Sequence, residues 1–395
     1  MAPTPPTPST SAAPARPEPL TVDALVDATP ASRDRFVDAL RALSILVVVL
    51  WHWVFSVTHW NGDGALTMPN PVGEVRLLWL ATWLLQVMPL FFFVGGYANL
   101  QAWHRKGAQG QSMARFVWGR VKQLAVPSLA LALTWVALGA VVVNRFDAEW
   151  MWRAVLLVIS PLWFIAVYLL IIALFPMFLW LHERYGVIVL VWLVGLAWMV
   201  DTVRFDHDVP GVAMVNMVLV WGFCHQLGFF YDRIVERGAK ASWAFTWAGL
   251  FALSALVYSG QYPGSMVGVP GDKFSNMAPP TVCIIALVSF QAGVATLLRP
   301  WVLHRLETSR RWASFNDVIN RFSMPLFLFH TTGLAIAFWI GNRYLGLYAK
   351  RQPDARWWAF RPVSFVGPLL FTLPVIYLFG RRWVKGGKGA NRVAG

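Results

Sequence analysis

Charge is what this sequence has least of. Asp, Glu, Lys and Arg make up 13% of its 395 residues, where water-soluble domains carry about a quarter. A chain of this length with so few ionic groups cannot cover a water-facing surface. Acidic residues are the scarcer sign, 19 against 33 Lys and Arg. Cysteine is nearly absent: Cys224 and Cys283 both fall within apolar runs, which excludes a disulfide framework and a CxxC metal site. The basic residues lie between apolar blocks and form no patch. The net charge of +14 is therefore topological, and no nucleic-acid partner is expected.

Hydrophobic residues are abundant, at 57%, and mean hydropathy is +0.53. The 23 Trp suit amphipathic rings at two bilayer interfaces. Ten apolar blocks follow one another at about 39–60, 77–100, 121–143, 154–181, 187–200, 212–231, 243–258, 281–298, 324–341 and 364–380. Most approach the roughly 20 residues a helix needs to span the hydrocarbon. The expected fold is an all-α polytopic membrane protein of about ten transmembrane helices.

Residues 1–31, rich in Pro, Ala, Thr and Ser, form an expected disordered cytoplasmic tail with no cleaved signal peptide. Residues 32–382 make the transmembrane domain, opened by Ser32 as N-cap, and 383–395 a basic cytoplasmic tail. With the N-terminus inside, cytoplasmic segments hold 23 of the 33 Lys and Arg, which favours both termini in the cytoplasm. The stretch 342–363 dissents, since it carries Arg343, Lys350, Arg351, Arg356 and Arg361 on the outer side.

No block, as bounded above, holds an Asp or Glu in its interior. The ionisable groups at depth are His52, His225 and His330, each a candidate functional group because burying it in a bilayer is costly. His225 and His330 sit about 9 Å, and His52 up to about 20 Å, from the cytoplasmic ends of their blocks at 1.5 Å per residue. Three imidazoles facing one inward-opening cavity are expected, with interhelical hydrogen bonding as the plainer role.

Arg41 and His52 share a helix face, because eleven steps of about 100° end 20° past three full turns. They lie about 16 Å apart along the axis. A guanidinium at the mouth suits phosphate, and a buried imidazole suits general base work near neutral pH. Asp38, three residues before Arg41, is placed to pair with it. A snorkelling, positive-inside Arg and a packing His account for the same positions. No metal site is expected. His52 and His59 share a face but stand about 10 Å apart along the axis.

Several stretches resemble the acyltransferase-3 family. Arg33 to Leu43, running on to Trp51-His52, looks like its first helix, whose hallmark is Arg, ten residues, His. Pro89-Leu90-Phe91-Phe92-Phe93-Val94-Gly95-Gly96-Tyr97 resembles its second-helix motif, with Gly95 where the family has Ser. Phe116 to Pro127 resembles the basic stretch before helix three. Arg120 matches one family Arg there, while Gln123 replaces another and Lys122 stands beside it. Leu162-Trp163-Phe164 and Ser323-Met324-Pro325-Leu326-Phe327-Leu328-Phe329-His330 resemble two further motifs. The resemblance covers most of 33–380. His225 to Tyr231 and Gly271 to Met277 match no general family motif.

The resemblance implies an enzyme that moves an acyl group, commonly acetyl, from acyl-CoA to a hydroxyl of a glycan, lipid-linked sugar or other envelope or small-molecule acceptor. No cofactor is expected to be bound, acyl-CoA (acetyl-CoA) being a co-substrate. The expected partners are acyl-CoA, the acceptor and the bilayer, and the expected location is the bacterial plasma membrane. His52 is then the general base with His330 sharing its proton. Arg41, Arg120 and Lys122 neutralise the donor's phosphates, and Asp38, Trp163 and Ser323 support them. The competing class is a transporter or flippase for an amphipathic solute, which ten spans permit. The lack of interior carboxylates argues against its usual proton relay. A structural or sensory role leaves the aligned Arg and His least explained.

Overall fold

The computed structural model describes residues 34–55, 59–60, 66–67, 71–146, 150–207, 209–269, 272, 274–345 and 354–390. The expected tail 1–31, the expected N-cap Ser32 and residues 391–395 lie outside them, as do Gly271 and Lys273.

The chain forms α1 (Arg35–Phe55), a two-residue antiparallel hairpin (His59–Trp60 with Leu66–Thr67), α2 (Leu78–Leu85), α3 (Met88–Ala108) and α4 (Met113–Phe146). It continues through α5 (Trp150–Ile159), α6 (Leu162–Ala173), α7 (Phe175–Tyr185), α8 (Ile188–His207), α9 (Asn216–Gly228) and α10 (Tyr231–Glu236). It ends with α11 (Gly238–Tyr258), α12 (Val282–Thr308), α13 (Arg310–Ile340), α14 (Ala355–Ala359) and α15 (Arg361–Ala390). Among the described residues nine helical segments are long and apolar enough to cross a bilayer, and a tenth apolar one, Val212–Gly228, is shorter. They fall on the ten blocks read from the sequence. The fold is an all-α polytopic membrane protein.

Helix ends depart from the block ends, because hydropathy marks the hydrocarbon and not the helix. Asp34 caps α1: its Oδ1 accepts the N–H groups of Phe36 (2.9 Å) and Val37 (3.1 Å), two of the donors a helix start leaves unpaired. The last helix runs to Ala390, into the stretch expected as a tail. Helix α8 continues seven residues beyond its block to His207 and carries the fully buried Asp201. The expectation that the spans are free of carboxylates is therefore wrong. Asp201 accepts from Asn216 Nδ2 (2.9 Å), the Val282 N–H (2.9 Å) and the Tyr262 hydroxyl (3.2 Å), which ties α8, α9, α12 and the 259–281 loop together.

The helices sort into a packed centre and a rim. In the most apolar window of α13, 72% of residues are buried, against 17% in α4. Rim helices expose large apolar side chains such as Leu129, Leu133, Val191, Trp247 and Leu370, the surface that lipid would cover. Central helices meet through glycine. A Cβ on Gly96 of α3 would collide with the backbone carbonyl of His225 on α9, and one on Gly228 with that of Phe93. Small residues at such crossings let backbones approach in a bilayer.

Candidate active site

The site is built where α1 and α13 run side by side in the same direction. Arg41 Nε donates to Asn320 Oδ1 at 2.9 Å, and ten to eleven residues further along both helices His52 Nδ1 lies 2.7 Å from His330 Nε2. The two histidines therefore share one level, and the depths of 20 Å and 9 Å expected for them cannot both hold. The reason is that α13 begins at Arg310, fourteen residues before its apolar block.

Hydrogen bonding fixes the tautomers. His330 Nδ1 lies 2.6 Å from the Phe327 carbonyl oxygen, which can only accept, so that nitrogen carries the proton. In the neutral pair His330 Nε2 is then the acceptor, and His52 donates from Nδ1. The proton-accepting nitrogen of His52 is left as Nε2. The rings are nearly coplanar, 11° apart with centroids 5.0 Å apart. That separation is the nitrogen distance plus two ring radii, so the rings meet edge to edge, joined through nitrogen. Trp53 Nε1 donates to the His330 carbonyl at 3.0 Å and holds the backbone of α13 against α1.

His52 lines a cavity of about 770 Å³, within the size range of small-molecule sites. Trp163 lines it too, while the fully buried His330 backs His52 from behind. Two helix breaks border the cavity: Gln86 and Met88 where α2 gives way to α3, and Ser160 and Pro161 where α5 gives way to α6. Interrupted backbone at membrane depth is tolerated where it lines a cavity. Val267, Gly268 and Met277 of the 259–281 loop complete the wall. On α1 the lining runs from Val48 through His52 to Phe55, away from Arg41.

At the other end of α1, Arg41 is held, as expected, by Asp38 at 2.8 Å. Asn320 bridges further, donating to the Asp38 carbonyl at 2.9 Å, and Ser323 Oγ donates to the Asn320 carbonyl at 2.9 Å. Asn320 escapes sequence reasoning because it lies in a polar stretch that reads as loop. Tyr231 escapes it as well. Its hydroxyl donates to Asp34 Oδ2 (3.1 Å) and accepts from Arg299 Nε (3.0 Å), pinning the start of α1. Burial and the Asp34 carboxylate push that hydroxyl above the ordinary tyrosine range, so it stays a donor. The unassigned stretch His225 to Tyr231 thus has a positioning role.

One expectation is corrected. His225 does not face the histidine pair. It is buried among Phe175, Phe178 and Phe229, with its Nε2 3.2 Å from Asn99 Nδ2. Arg120 and Lys122, expected at the donor's phosphates, stand outside the cavity lining. Arg120 lies 5.7 Å from the Phe116 ring centroid and Lys122 is exposed. At Gly95, where the family has Ser, a Cβ would collide with the Tyr168 hydroxyl. Tyr168 fills the space.

A histidine pair beside a cavity between broken helices, in a bundle of apolar helices, makes this the candidate active site of a membrane protein. Residues 34–385 match the family model described as an acyltransferase domain, and the chain belongs to the acyltransferase-3 family. It is a multi-pass membrane acyltransferase. No curated protein and no solved structure matches it.

Proposed function

We propose that the protein transfers an acyl group, acetyl being the family's common one, from acyl-CoA to a hydroxyl acceptor. The hydrogen bond from His330 Nδ1 to the Phe327 carbonyl carries this reading, because it leaves His52 Nε2 basic at the cavity wall. His52 Nε2 takes the acceptor's hydroxyl proton as the oxygen attacks the thioester carbonyl. The C–O bond forms, the C–S bond breaks, and the imidazolium returns the proton to the departing CoA sulfur. His330 Nε2 accepts from His52 Nδ1 throughout and stabilises the imidazolium, as the orienting member of a catalytic couple does.

Arg41 serves the donor's phosphates, about 16 Å from His52 along α1 at 1.5 Å per residue, on the order of a pantetheine arm. Arg120 and Lys122 are assigned to the same donor phosphates. Trp163 forms cavity wall, and Asp38 and Ser323 hold Arg41 and Asn320. Both termini are cytoplasmic in this reading and the acceptor is a glycan, lipid or other envelope molecule of a bacterial plasma membrane. The test is release of thiol from acetyl-CoA by detergent-solubilised protein. Acceptor-dependent release supports transfer. Movement of a solute across vesicles without thiol release would support a transporter.

A further inference from the structure

The cavity holds one charged side chain among its described lining residues, and the mechanism above leaves it unused. Arg153 lies on the face of α5 formed with Leu156, Leu157 and Ser160, at spacings of three, four and seven residues. That face and His52 line the same cavity. The Arg153 Nη1 atom is buried and has no hydrogen-bond partner among the described residues. Among those residues no carboxylate lines the cavity to pair with it. A buried, unpaired guanidinium nitrogen is costly, and its planar fork suits a carboxylate or phosphate. Its complement is therefore to be supplied by what enters.

We infer that Arg153 makes this cavity the binding site for an anionic acceptor, a hydroxyl compound whose carboxylate or phosphate pairs with the guanidinium while its hydroxyl faces His52. The inference rests on the acyl-transfer reading for the word acceptor alone, since anion binding at Arg153 is measurable without turnover. It follows from placement along α1. Arg41 stands at the end away from the cavity and is assigned to the donor, whereas Arg153 belongs to the wall that begins at Val48 and runs past His52. A cavity of about 770 Å³ has room for a monosaccharide or a lipid headgroup.

The experiment measures thermal stability of the purified full-length protein in detergent, where a ligand of the native state raises the melting temperature. Probes come in charged and neutral pairs: methyl glucuronide with methyl glucoside, glycerol 3-phosphate with glycerol, and micellar phosphatidylglycerol with diacylglycerol. At least one anion is expected to stabilise the wild type, and its neutral partner not. Arg153→Gln is expected to weaken that anion by about tenfold or more, the loss of a charge-assisted bidentate contact, and Arg153→Lys to restore part of it. A response to phosphatidylglycerol alone identifies a lipid headgroup as the source, and a response to the water-soluble anions a saccharide or free phosphate. Arg153→Gln is checked for monodispersity, and Arg153→Lys carries the test if it misfolds.

Equal stabilisation by charged and neutral partners, an anion effect unchanged in both variants, or competition of the anion with CoA would overturn the inference. The two readings fail separately. Arg153-dependent anion binding without thiol release from acetyl-CoA would sink the transfer reading and leave the site. Thiol release with no preference for anions would do the reverse.

Discussion

His52 and His225 are two histidine sites among the described residues of this bundle, and they are built differently. His52 meets a second imidazole through nitrogen and lines an open cavity. His225 meets the Asn99 side chain, is ringed by phenylalanine and sits where Gly96 brings α3 against its own carbonyl. Both are ionisable groups within the helix bundle. What separates them is that one nitrogen of His52 is left basic beside space for a substrate. His225 serves a helix crossing. An intramembrane histidine alone is thus weak ground for a catalytic role, and its second partner decides.

Substitutions sharpen that contrast. The largest effect is expected at His52. His52→Ala should abolish acyl transfer, and His52→Gln, which keeps polarity and approximate size, should lower turnover by about 10²–10⁴-fold, the usual contribution of a general base. Expression and monodispersity in detergent should stay near wild type. More than a tenth of wild-type turnover in His52→Gln would make the residue structural. At His330, replacement by Gln should cost about 10–100-fold in turnover, the range for partners that orient a functional imidazole, with the apparent affinity for acyl-CoA unchanged. A weakened affinity instead would move His330 out of the proton-transfer couple.

Arg41→Ala should raise KM for acyl-CoA by about tenfold, because it removes a guanidinium suited to phosphate, and Arg41→Lys should recover only part. Asn320→Ala should act in the same direction and less, since it releases Arg41 Nε without removing the charge. Unchanged KM in Arg41→Ala and Arg41→Lys would remove that end of α1 from the donor site. The smallest effect on activity belongs to His225→Ala, with turnover within about threefold of wild type, as befits interhelical hydrogen bonding. Its melting temperature should fall, because the buried Asn99 donor loses its acceptor, a loss of about 1–3 kcal/mol. A loss of activity at unchanged stability would erase the distinction between the two sites.

Much of the first site is legible in the sequence. Helical periodicity alone puts Arg41, Asp38 and His52 in register along α1, and ordered motifs point to His330 and Trp163. What escapes is what a hydropathy pattern cannot carry. Asn320 sits in the polar opening of α13, so its bond to Arg41 exists only once α1 and α13 lie parallel. The breaks at Gln86 and at Ser160-Pro161 fall within or beside apolar runs and do not interrupt them. Arg153 stands at the edge of an apolar block, where it reads as one more outer-side charge. Asp201 escapes because α8 outlasts its apolar stretch, which reaches its end before the polar last turns.

The idea that His52 and His330 act as one unit is tested most directly by the double variant His52→Gln/His330→Gln beside the two single variants, all assayed for thiol release from acetyl-CoA. Residues that work as a unit lose function together, so their effects do not multiply. The double variant should turn over within about threefold of His52→Gln alone, because His330 has nothing to orient once the base is gone. Losses that multiply, with the double variant slower than His52→Gln by the full factor measured for His330→Gln, would show two independent roles and contradict the proton-transfer couple.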